Sequence, residues 1–235
     1  MNISLKRVNA IFQKDFKDFS RNWAVSSVLF VPIGLGFMYG RAGVEDLTSH
    51  YLLINLAMAM VATFVQCCLI AEEKEKNTLR GLMLSPASTM EIIGGKSLLS
   101  FILTLGVIVL TSYLSGYQPA DTAVIVVAVV LSSLFYIAIG TILGLYSKSV
   151  MEASLIVMPV ILIFSLGSFI TQLADSYPIL KVALYLPNIQ LIELATKVEA
   201  GGSFGDVLVE LGIIAAWVVV SFIATNIIYR KRMID

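Results

Sequence analysis

The chain has 235 residues, of which 58% are hydrophobic and only 14% charged, with sixteen basic residues balanced by sixteen acidic ones. Soluble domains carry about 25% charged residues, so the deficit excludes an ordinary soluble globule and places the chain in the membrane class. Zero net charge leaves no electrostatic footprint for nucleic acid. Two neighbouring cysteines, Cys67 and Cys68, give no disulfide framework and read as small apolar fillers.

The first element is amphipathic. Between Ile3 and Arg21, Leu5, Val8, Phe12, Phe16 and Phe19 recur at spacings of three and four, and Lys6, Lys14, Asp15, Lys17 and Asp18 take the remaining surface. That pattern predicts a helix lying in the membrane interface on its basic face. The first apolar run begins only near Trp23 and no small-x-small site follows it, so a cleaved leader is not expected.

Six runs then approach the ~20 residues a helix needs to span a bilayer. They are Trp23–Gly40, Tyr51–Ala71, Ser97–Tyr117, Thr122–Tyr146, Ala153–Gln172 and Val207–Tyr229. They are continuous rather than alternating, which excludes barrel strands. With both termini inside, thirteen lysines and arginines fall inside and only Arg41, Lys181 and Lys197 outside, together the chain's sixteen; the positive-inside rule therefore favours cytoplasmic termini. Pro32 and Pro159 should kink spans one and five. Gly36 and Gly40, and again Gly140 and Gly144, make small-xxx-small faces that let helices approach closely.

Two segments interrupt this pattern. Between spans two and three, residues 72–96 are charged and helix-prone. Glu72 to Lys76 extends span two, Asn77 suits a left-handed turn, Thr78 to Leu84 is a short amphipathic piece, Ser85-Pro86 stops it, and Ser88 or Thr89 caps a run with Glu91 in its first turn. Two short helices at right angles to the spans are expected there, offering apolar knobs and charges to a soluble partner. Between spans five and six, residues 173–206 are too apolar for a free loop. An apolar stretch to Leu186 is broken by Pro187, and Asn188 is placed to cap Ile189–Val198, which reads either as an outer cap lying flat on the membrane or as a hairpin dipping back into the outer leaflet. Leu184, Tyr185, Leu186, Pro187 and Asn188 would then close the pathway to the outside.

Chemistry is mostly absent. No charged residue lies at the centre of a span, which argues against ion-driven transport and intramembrane proteolysis. The single histidine, His50, has no Cys or His neighbour, so neither a metal site nor a catalytic residue is expected. Gly94-Gly95-Lys96-Ser97 resembles the end of a phosphate loop, but Met90 stands where the earlier Gly is needed and a span follows; Lys96 reads as a basic residue closing a loop.

At residues 72–96 the chain resembles the permease subunits of type-2 ABC exporters. In that family the loop runs Glu-x-x-(Gly/Asn)-Thr-Leu-x-x-Leu-x-x-Ser-Pro, then a hydrophobic pair and Gly-Lys, matched here by Glu75, Thr78, Leu79, Leu82, Ser85, Pro86, Ile92, Ile93, Gly95 and Lys96. Asn77 replaces the commoner Gly and keeps the left-handed capacity. The resemblance implies an all-α integral membrane protein forming one transmembrane domain over residues 1–235. Its parts are an interfacial helix at 1–22, six spans, a cytoplasmic coupling loop at 72–96 and a re-entrant outer hairpin at 173–206. It implies ATP-driven efflux without a cofactor in this chain, ATP and Mg being held by a cytosolic ATP-binding-cassette partner. Glu75, Thr78, Leu79, Leu82, Ser85 and Pro86, with Lys148 in the next inner loop, would contact that partner. It also implies pairing with a second copy or a similar permease, in a bacterial cell membrane. The sparse charge suits a hydrophobic or amphipathic cargo such as a peptide, drug or lipid-like molecule. The alternative reading is a membrane immunity, sensor or scaffold protein that transports nothing.

Overall fold

The computed structural model describes residues 4–78, 88–167, 169 and 177–232, and among them the chain is helical throughout, with no strand. Helix α1 (Leu5–Arg21) leads to α2 (Trp23–Ala42), α3 (Leu47–Glu75), α4 (Thr89–Ser115), α5 (Thr122–Tyr146) and α6 (Val150–Ser165). A 3-10 helix (Pro178–Tyr185), α7 (Pro187–Glu199) and α8 (Leu208–Arg232) complete the described order. Among the described residues five helices are long and apolar enough to cross a membrane, and α6, at 16 residues, is a shorter apolar helix. At 1.5 Å per residue it spans ~24 Å, less than the ~30 Å hydrocarbon core. The predicted fifth span was longer. In the structure the helix starts three residues earlier, where Ser149 accepts a hydrogen bond from Glu152 N, and its continuous described part ends at Ser165; residues 168 and 170–172 of the predicted span lie outside the described residues.

Helix α3 is the axis of the bundle. It is 89% buried over its apolar window, against 17% for α2 and 61% for α5, and α2, α4, α5 and α6 all pack on it. Its middle, Met58–Val65, is wound as a π-helix. The two glycine faces serve contacts within the chain. A Cβ on Gly140 would lie 2.5 Å from the Thr63 carbonyl oxygen and one on Gly144 2.7 Å from that of Cys67, so α5 rests backbone to backbone on α3. Gly36 and Gly40 do the same for α2 against Thr111 and Leu114 of α4. Neutral polar side chains stitch the interior. Gln66 donates to Thr141 Oγ1 at 3.0 Å and accepts from Ser100 Oγ at 2.7 Å, and Thr63 Oγ1 donates to the Tyr136 carbonyl at 3.1 Å. In hydrocarbon such groups need partners inside the protein.

Helix α1 differs from its sequence reading. Its buried line is Ile11, Asp15 and Phe19, while Leu5 and Phe16 are exposed. Asp15, expected on the polar surface, faces inward. The reason lies on α4, where a Cβ on Gly95 would meet the Ile11 side chain at 2.8 Å; the missing side chain admits α1 and brings Asp15 over Lys96.

Candidate functional site

The basal end, where α1 lies, carries the charged residues of the 72–96 insert. The predicted second short helix does not exist as a separate piece: it is the start of α4, which runs unbroken for 27 residues from Thr89. At ~40 Å this helix is ~10 Å longer than the hydrocarbon core, and its charged residues, Glu91 and Lys96, lie in its first two turns. Ser88 caps it in a capping box, Ser88 Oγ accepting from Glu91 N at 3.3 Å and Glu91 Oε2 accepting from Ser88 N at 2.7 Å. Glu91 also holds α1, accepting from Arg7 Nη2 at 2.7 Å, Arg7 Nε at 3.0 Å and Ser4 N at 2.6 Å. A bidentate Arg–carboxylate pair fixes direction as well as distance. The Gly94-Gly95-Lys96-Ser97 resemblance to a phosphate loop ends here, because those residues are interior helix with their backbone N–H groups already bonded.

Lys96 is not a loop residue. Its ammonium is 3% exposed and donates to Asp15 Oδ1 and Oδ2 at 3.2 and 3.1 Å and to Glu73 Oε1 at 3.1 Å. Lys14 also donates to Glu73 and lies 3.4 Å from Asp18. Thr78 Oγ1 donates to Glu73 Oε2 at 2.9 Å, which ties the start of the loop into the same cluster. Two lysines thus meet two buried carboxylates from three elements: α1, the end of α3 and the start of α4. Burial pushes the Asp15 carboxyl above its ordinary value although Lys96 and Lys14 pull it down. The cluster binds α1, α3 and α4 into one bracket around the insert.

The turn out of α3 follows the sequence reading, with Asn77 at φ 55°. Of the expected partner-contacting residues, Glu75, Thr78 and Lys148 are described and all are exposed; Leu79, Leu82, Ser85 and Pro86 lie outside the described residues. Glu75 Oε2 accepts from Val150 N at 2.9 Å, and Lys74 Nζ donates to the Leu145 carbonyl at 2.6 Å. The end of α3 is therefore fastened to both sides of the loop that carries Lys148, so residues from two loops form one basal surface.

At the distal end the predicted break at Leu186-Pro187-Asn188 is present, but its chemistry differs. Leu186 is the N-cap, Pro187 takes the first helical position, and Asn188 lies inside α7 rather than capping it. Its amide instead donates to the Phe164 carbonyl at 3.0 Å at the end of α6, and Asn55 Nδ2 donates to the Asn188 carbonyl at 3.3 Å. Gly167 leaves the space that Asn188 occupies. Asn55 lies eight residues into α3, ~12 Å below its distal start, while Glu199 at the other end of α7 binds Tyr117 and Ala120 N of the distal loop. Helix α7 therefore descends into the bundle from the distal surface. Pro187 and Asn188 are buried, Leu184 and Leu186 half-buried and Tyr185 exposed, its carbonyl accepting from Trp217 Nε1 at 2.7 Å.

Among the described residues no group of three or more His, Cys, Asp or Glu side chains is arranged to hold a metal. The bracket's hydrogen bonds and ion pairs join the basal surface to the central helix.

Residues 25–227 match a family model described as ABC-2 family transporter protein, which is most of the chain. No curated protein matches the chain.

Proposed function

The chain belongs to the ABC-2 family of transporter proteins as a membrane permease subunit, and on that premise we propose that it exports a hydrophobic or amphipathic cargo under the power of a separate cytosolic ATPase. The observation that carries the proposal is the bracket. A docking surface on residues 72–96 and on the Lys148 loop transmits force only if it is stiff. Glu91–Arg7, Lys96–Asp15–Glu73 and Glu75–Val150 make it so, joining the surface directly to α3, the helix on which four others pack. The bracket end is then cytoplasmic, in agreement with the positive-inside count. The cargo class is supported by the sparse charge of the spans, which carry no acidic or basic residue at their centres. Helices α2 and α6 both pack on α3 and leave Phe30, Phe37, Met151, Leu155 and Leu162 uncovered, which supports pairing with a second permease on that side. Gly36 and Gly40 are used inside the chain and do not contribute to such a pair.

The test is substitution of the expected knobs. Leu79→Asp with Leu82→Asp should abolish co-purification of the ATPase and its stimulation, because a seated apolar side chain contributes about 1–3 kcal/mol and a buried unpaired carboxylate costs more. Unchanged co-purification and hydrolysis would refute docking at this loop.

The distal closure belongs to the same proposal. Helix α7, held by Asn188 and Glu199, closes the outer end and yields during turnover. Leu186→Cys should react slowly with an external thiol reagent at rest and several-fold faster when ATP is supplied. Fast labelling independent of ATP would show that the break is an open surface turn.

A further inference from the structure

At the distal end, between α2 and α4, lies a cavity of about 880 Å³, within the range of small-ligand sites. Its floor is fixed by a bonded set. His50 Nδ1 lies 3.2 Å from Ser115 Oγ, and the His50 ring stacks on Tyr117 at 5.1 Å. The Tyr117 hydroxyl lies 3.1 Å from the Tyr51 hydroxyl and donates to Glu199 Oε1 at 3.1 Å; the same oxygen accepts from Ala120 N at 3.2 Å. Both contacts use Oε1, leaving Glu199 Oε2 for a ligand.

The walls carry charges that do not neutralise one another. Arg41 lies over the Phe37 ring at 5.2 Å, and among the described residues neither it nor Glu45 forms an ion pair, although both line the cavity with Glu199. Opposite charges held apart around one cavity suit a ligand that itself carries both signs. The level is that of lipid headgroups, since α2 and α4 end here, and the Tyr113 ring in the lining is exposed.

We propose that this cavity binds a zwitterionic phospho-ammonium group, in the first place the headgroup of an ethanolamine phospholipid. Arg41 takes the phosphate, and Glu45 and Glu199 take the primary ammonium. Two carboxylates against one guanidinium disfavour an anionic headgroup, which offers nothing for them to accept. The proposal is independent of the exporter reading: the site needs only a bilayer and lies at the opposite end from the bracket.

The experiment uses the full chain in nanodiscs of mixed phosphatidylethanolamine and phosphatidylglycerol, released into native mass spectrometry, with Arg41→Gln and Glu45→Gln as variants that leave the Tyr117–Glu199 set intact. Ethanolamine lipid should be retained over glycerol lipid. Arg41→Gln should cut that retention about tenfold, as expected for losing a charge-assisted hydrogen bond, and Glu45→Gln should cut it less. Competition by soluble glycerophosphoethanolamine identifies the source: displacement at micromolar concentration assigns the site to a water-soluble zwitterion, and resistance to millimolar competitor assigns it to the membrane lipid. Equal retention of the two lipids, or retention unchanged in Arg41→Gln, overturns the proposal.

Discussion

Lys96→Met should destabilise the protein by about 3 kcal/mol, near the lower end of the 3–5 kcal/mol for breaking a buried ion pair by removing one partner. The lower end applies because Lys14 remains beside Glu73 and Asp15. For a chain of this size that corresponds to a loss of roughly 6–12 °C in unfolding temperature in detergent. The substitution keeps the apolar stem and removes only the charge, so the loss reports electrostatics rather than packing. Two further measurements separate the causes. Asp15→Asn added to Lys96→Met removes the carboxylate that has lost its closest cation and leaves the Lys14–Glu73 pair; it should recover most of the loss. Acidification should act in the same direction. A carboxyl whose pKa is raised in the folded state makes that state the stronger binder of protons, so stability rises relative to the unfolded chain as pH falls through the raised value. Lys96→Met also removes the cation that holds the Asp15 carboxyl down, so Asp15 rises further in the variant than in the parent, and the deficit should shrink as pH is lowered and Asp15 takes up a proton. A double variant no better than the single one, and a deficit indifferent to pH, would show that Lys96 matters only as filler.

Gly140→Val should be comparably damaging for a different reason. Its Cβ would lie 2.5 Å from the Thr63 carbonyl oxygen and 3.0 Å from the Gln66 Cβ. The first obstacle is backbone, which no rotamer change relieves. Overpacking a core usually costs about 1–3 kcal/mol, and here the shift would also strain the Thr63–Tyr136 and Gln66–Thr141 hydrogen bonds, so a loss of about 3 kcal/mol is expected. Gly106 is the control. Nothing lies within 4 Å of its would-be Cβ, and Gly→Ala inside a helix gains up to ~1 kcal/mol. Gly106→Ala should therefore be neutral or stabilising and Gly140→Ala destabilising, as read from thermal unfolding. Equal effects at the two positions would mean that α5 and α3 are not in backbone contact.

The spans were legible because apolar runs and caps are local. Thr122–Tyr146 coincides with its sequence reading, and Asp121 caps it through Ala123 N and Val124 N. Glycine spacing announced both close contacts but not their partners, which are α4 for Gly36 and Gly40 and α3 for Gly140 and Gly144. Start and stop signals misled where two readings were equally good: Ser88 and Glu91 do form a capping box, but for a helix that runs on into the third span. Asn188 is a good cap by type, yet Pro187 before it already supplies the first helical residue, and its amide is worth more against the orphan Phe164 carbonyl. The π-wound stretch of α3 leaves no trace in apolar periodicity, since every position there is apolar or small. The buried charges were the larger omission. Asp15 lies four residues from both Ile11 and Phe19, on the inward face of α1, and Lys96 follows a glycine that admits that helix. Each was visible alone, but the pairing is tertiary, and Lys, Asp and Glu are ordinarily found in water.

The most direct measurement of the central claim changes a single residue at the start of the basal insert. A photo-reactive side chain placed at Thr78, exposed at the start of the basal insert, should cross-link in native membranes to a soluble chain that hydrolyses ATP, and purification in nanodiscs should carry that activity along. Cross-links confined to lipid and to the chain itself, with no hydrolysis recovered, would contradict the account of residues 72–96 as the surface through which an ATPase drives this permease.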